Sequence, residues 1–111
     1  MTIALPSSAA VATGVSAGGT TNPFPLTGSV GTLSSVVTGI NGSGSFQAFL
    51  DVQDSAGNWF PVVTATAQTT AGVQSGTGQI SAATPNATAV GRIRWTISAG
   101  TANVILAAVG Q

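Results

Sequence analysis

Apolar and polar residues alternate with a period of two in several stretches of the chain, as they do in strands that bury one face. The clearest stretch is Phe46–Gln53 (FQAFLDVQ), where Phe46, Ala48, Leu50 and Val52 share a side. Asp54–Asn58 follows, with an aspartate that favours turns and Gly57 and Asn58, which tolerate positive φ, before Trp59–Val63 resumes an apolar run. This pair predicts a hairpin. Arg92–Ser98 (RIRWTIS) alternates again, burying Ile93, Trp95 and Ile97 while both arginines face the other way. Ala99–Asn103 is the next expected turn. Val104–Val109 is apolar on both faces, as in a central or covered strand, and is expected to pair back on the strand before it.

Shorter candidates are Ile3–Leu5, Val11–Ser16, Leu26–Val30, Leu33–Thr38 and Val73–Ile80, the last containing Gly76 and Gly78. No stretch combines helical spacing with good helix formers, because Glu and Lys are absent and Thr, Val, Ser and Gly dominate. The expected fold is all-β: a single antiparallel β-sandwich or flattened barrel of about 7–9 short strands with an extended N-terminal arm. Residues 1–28 are assigned to the arm and 29–111 to the sandwich. The arm is rich in Ser, Ala, Thr and Gly and is stiffened by Asn22-Pro23-Phe24-Pro25. Its apolar residues Ile3, Leu5, Val11 and Phe24 are the candidates for contact with a neighbour. Gly14–Gly18 and Gly72–Gly76 look alike, but no fixed period connects them, so a repeat architecture is rejected.

Charge changes the picture most. Charged residues are 4% of the 111, against about 25% in an average globular protein, and the four are Asp51, Asp54, Arg92 and Arg94. A hydrophobic fraction of 43%, spread along the chain, nevertheless predicts a folded domain. A free domain with so little surface charge has weak electrostatic protection against self-association, so its surface is expected to be covered by neighbours. Two arginines and no lysine give no basic patch for nucleic acid. The first residues, Met1–Pro6, lack the pattern of a secretory signal, and no apolar run is long enough to span a bilayer. A protein made in a cytoplasm, with no membrane or nucleic-acid partner, is therefore expected.

The absence of His, Cys, Lys, Glu and Tyr removes most groups that take or give protons near neutral pH. Each serine lacks a His or Lys base, which excludes triad-type and Ser-Lys hydrolysis within one chain. Asp51 and Asp54 are read as a strand residue and a turn former rather than a glycosidase pair. With Asn58 they do not match the spacing of a calcium loop. Gly42-Ser43-Gly44 and Gly76-Thr77-Gly78 lack the further residues of nucleotide-binding loops. No enzyme activity, catalytic residue, metal or cofactor is expected. Arg92 and Arg94, two apart on one strand face, are expected to pair with Asp51 or with an acidic patch on a partner. Trp59, beside the turn, is a candidate platform for a sugar ring, with Asn58 and Gln53 as polar neighbours.

Several segments in order resemble small β-sandwich virion structural proteins of tailed bacteriophages, of the head-decoration or tail-associated type. They are Leu5-Pro6-Ser7-Ser8-Ala9-Ala10 with Thr13-Gly14, then Phe49–Trp59 (FLDVQDSAGNW), then Gly91–Ile97 (GRIRWTI) before Gly100-Thr101 and a closing apolar strand. The likeness covers most of the chain, and FLDVQDSAGNW is its most specific part. The chain departs from that pattern in carrying fewer Asp, Glu and Arg. The resemblance implies a non-enzymatic virion protein, foremost a capsid decoration protein bound in many copies to the assembled shell and stabilising it. Its implied partners are the major capsid protein or other virion proteins and further copies of itself, with a trimer as the expected homo-oligomer. The second expectation is a carbohydrate-binding host-recognition module of a tail or head fibre, using Trp59, Asn58 and Gln53. A third, ice binding, rests only on Thr64-Ala65-Thr66.

Overall fold

In the computed structural model, which describes residues 2–3, 9–26, 30–54, 56–80 and 89–110, the alternating stretches are strands. The strands are β1 (Thr2–Ile3), β2 (Ala9–Val15), β3 (Gly19–Thr21), β4 (Phe24–Leu26) and β5 (Val30–Asn41), then β6 (Phe46–Gln53), β7 (Trp59–Thr64), β8 (Gly72–Gln79), β9 (Ala89–Ile97) and β10 (Thr101–Gly110). No helix occurs among the described residues. One sheet has the order β1-β3-β9-β6-β7 with β4 also on β9, and the other has the order β2-β10-β5-β8. Every ladder is antiparallel except β1 with β3. The protein is an all-β sandwich.

The inward face of each strand supplies the core. Phe46, Ala48, Leu50 and Val52 of β6 and Ile93 and Trp95 of β9 meet Leu33 and Val37 of β5 and Val104, Leu106 and Ala108 of β10. Burying each large apolar side chain is worth roughly 1.5–3 kcal/mol. The one indole in this core finds a partner for its N–H: Trp95 Nε1 donates to the Ala17 carbonyl at 3.1 Å.

The segment expected to be an arm is part of the sandwich over residues 9–26. β2 pairs with β10, and β3 and β4 pair with β9. Phe24 is 4% exposed and lies in the core with Val15 and Leu26, so its assignment as a contact for a neighbour is corrected. The physical reason is that Phe24 and Leu26 alternate around Pro25 and cover Gly91, where a side chain on β9 would collide with Leu26. Ile3 lies in β1 and Val11 in β2, opposite Ile105, while Leu5 lies outside the described residues.

β3 and β4 lie along the same flank of β9 and are separated at Asn22-Pro23, since proline has no N–H to give a ladder. The break leaves the backbone of Ile93 without a ladder partner there, and the Thr21 hydroxyl fills the gap by accepting from Ile93 N–H at 3.0 Å. Both groups are buried. Thr21→Val, close in shape but without the acceptor, is expected to destabilise the protein by about 1–3 kcal/mol, read as a lowered urea midpoint with an unchanged slope. An unchanged midpoint would contradict this role.

The final strands differ from the sequence expectation. β10 does not pair back on β9; the chain crosses to the other sheet and β10 inserts between β2 and β5. The crossing is short, and the strand begins at Thr101, within the expected turn. Gly100 permits it with φ +73, and a side chain at this position would collide with the Asn41 carbonyl. The neighbouring crossing from β5 to β6 leans on it: Ser98 N–H donates to the Ser45 carbonyl at 3.0 Å and Ser45 N–H donates to Ser98 Oγ at 2.9 Å. At the opposite flank, Gly76 and Gly78 of β8 face Val63 and the Val62 carbonyl of β7, and the missing side chains let the two sheet edges approach.

Candidate functional site

Two surfaces stand out, and they differ in chemistry. The first is the outer face of β6, β7 and β9. Asp51 is opposite Arg92, and Phe49 is opposite Arg94. Arg92 Nε donates to Asp51 Oδ2 at 3.1 Å and Arg94 Nε to the same oxygen at 2.9 Å, with Arg94 Nη2 at 3.4 Å from Oδ1. Asp51 therefore sits on an outward-facing position yet is 1% exposed, because two guanidinium groups close over it. Each guanidinium also stacks on a ring: Arg92 lies 4.4 Å from the centroid of Trp59, and Arg94 lies 4.0 Å from that of Phe49. The pairing of both arginines with Asp51 agrees with the sequence expectation.

The hairpin expected at Asp54–Asn58 is present. The Asp54 carboxylate accepts from Ala56 N–H at 2.9 Å and Asn58 N–H at 2.8 Å, and Asp54 N–H donates to the Asn58 carbonyl. This turn brings Trp59 opposite Gln53. All three candidate platform residues are thus neighbours, but each is already engaged. Arg92 covers one face of Trp59, Gln53 Nε2 donates to the Gly57 carbonyl at 3.1 Å, and Asn58 Nδ2 lies 3.5 Å from Asp54 Oδ2. Beyond the turn, Pro61 blocks the free edge of β7, where the ladder shifts register between Leu50 and Asp51.

The second surface is the outer face of the four-stranded sheet. Val36 of β5 is opposite Val73 of β8 and Ile105 of β10, and Thr32 is opposite Thr77 and Val109. Between these rows Ser34 is opposite Ser75 and Ala107. Val73 is 64% exposed, Val109 50% and Ile105 41%. None of the four strands contains a charged residue. Sequence reasoning registered this surface only as the two-sided apolarity of Val104–Val109, because the row itself depends on which strands become neighbours.

Among the described residues, no group of three or more His, Cys, Asp or Glu is placed to hold a metal. Comparison with protein-family models, curated proteins and solved structures gave no match.

Proposed function

We propose that the protein is a non-enzymatic virion structural protein that decorates an assembled phage capsid in many copies. The observation that carries this reading is the uncharged, partly apolar outer face of the four-stranded sheet. A face on which valines and an isoleucine stand in cross-strand rows costs free energy in water and gains it when covered. Uncharged Ser, Thr and Gln between them supply hydrogen bonds without the desolvation penalty of ions.

The size of the face bears on copy number. With strands about 4.8 Å apart and a rise of about 3.3 Å per residue, four strands of this length present roughly 500 Å². That is below the roughly 800 Å² per partner of a standard stable interface. One face alone holds weakly, and a homo-oligomer, with a trimer as the favoured form, gains attachment by engaging several equivalent sites on a shell. The exposed edge strand β8 has no charge and no proline to block pairing, which suits it to strand addition by a neighbour.

Ile105→Glu combined with Val73→Glu places two charges in the middle of the face without touching the core. Purified double variant is expected to keep its far-ultraviolet spectrum and lose binding to undecorated shells by at least about tenfold, each buried unpaired charge being expensive. Binding equal to wild type in a shell-sedimentation assay would remove this face as the attachment surface.

A further inference from the structure

The paired arginines carry more binding capacity than Asp51 uses. Two cations meet one anion, so the cluster keeps a formal charge of one positive unit on a chain whose remaining ion is Asp54. Among the described residues, neither Arg92 Nη atom nor Arg94 Nη1 makes a hydrogen bond. Both side chains remain partly open to solvent, at 24% and 31%, whereas Asp51 is closed off beneath them. Closing over the buried carboxylate uses Nε of both arginines and Nη2 of Arg94, and leaves the remaining Nη groups facing outward for a second anion.

The geometry points to this cluster as a docking site for a carboxylate, specifically an Asp or Glu side chain on a neighbouring protein. A guanidinium offers parallel N–H groups in the spacing of carboxylate oxygens. Stacking on Trp59 and Phe49 and the Nε bonds to Asp51 already restrict both arginines, so little further side-chain freedom is lost on binding. The surroundings favour a protein partner: Pro61 of β7, opposite Asp51, and Val90 of β9, opposite Gln53, are exposed on the same face. Arginine and aromatic residues beside exposed apolar ones make up the centres of protein interfaces, whereas small-ligand sites are concave. The site stands whether or not the protein belongs to a virion.

The test is titration of the wild-type protein with a blocked tri-glutamate peptide, followed by NMR at the arginine Nε–H groups and both indole N–H groups. Saturable shifts at Arg92, Arg94 and Trp59 are expected, with a dissociation constant on the order of 1 mM and no shift at the buried Trp95 indole. Arg92→Gln, which leaves Arg94 to hold Asp51, is expected to weaken binding about tenfold, and Arg94→Gln is the second variant. Absence of saturation, or an equal response to tri-glutamine, overturns the site. A response to tri-galacturonate alone overturns the protein carboxylate in favour of an acidic glycan. These readings come from wild type, so they hold even if a variant fails to fold.

Discussion

Trp95→Ala is expected to lower the stability of the protein by about 3–5 kcal/mol, the range for removing a buried large aromatic side chain. A domain of this size has about 5–15 kcal/mol in total, so the variant is at or near the limit of folding. Trp95 is the largest fully buried side chain, and it lies on β9 opposite Ala48 and Gly19. Those small neighbours leave room for the indole and nothing to refill the space once it is gone. Trp95→Phe separates packing from hydrogen bonding. It keeps most of the apolar contact and removes only the donor to the Ala17 carbonyl, which lies on an exposed loop where water replaces it. The expected loss is about 1 kcal/mol beyond the change in volume. Urea denaturation of both variants distinguishes the two effects. A loss below about 1 kcal/mol for Trp95→Ala would contradict the placement of the ring between the sheets.

Asp51→Asn is expected to be the most damaging surface-facing substitution, costing about 2–3 kcal/mol. The amide keeps the shape but removes the charge that two guanidinium groups share, leaving two cations on one strand face. Removing one partner from a fully buried pair costs about 3–5 kcal/mol, and the partial exposure of both arginines reduces the figure. Two further results follow from the same geometry. The penalty shrinks as ionic strength rises, because salt screens the repulsion between the arginines. Adding Arg94→Met to Asp51→Asn costs less than the two separate losses combined, because the second change removes one of the cations that the first left unpaired. Strict additivity in that cycle would show that Asp51 and Arg94 are not coupled.

Much of the fold was legible because period-two alternation is local. FQAFLDVQ and RIRWTIS each declare an inward face, and the structure buries Phe46, Ala48, Leu50, Ile93 and Trp95 accordingly. The turn at Asp54–Asn58 was legible for the same reason, since Asp54 makes its own bonds within four residues. What local pattern does not contain is which strands become neighbours. β10 was expected to return to β9, and instead it crosses between sheets, a choice made by distant strands β2 and β5. Residues 1–28 read as an arm because Ser, Ala, Thr and Gly give weak alternation; Pro23 divides the strand along β9 in two, and with the short β1 the number of strands among the described residues rises to ten. At the candidate sites, the Asp51 pairing followed from strand faces. The stacking of Arg92 on Trp59 depended on the register of β7, and the Val73, Val36 and Ile105 row depended on a sheet order that no single segment specifies.

The proposal that the protein decorates a capsid is tested most directly by its copy number relative to the major capsid protein in purified particles, measured by quantitative mass spectrometry. Decoration predicts hundreds of copies per particle, on the order of the number of equivalent sites that a closed symmetric shell repeats. A few copies to a few dozen would contradict decoration and move the protein to the neck, tail or a fibre, and its absence from particles would contradict the virion reading altogether.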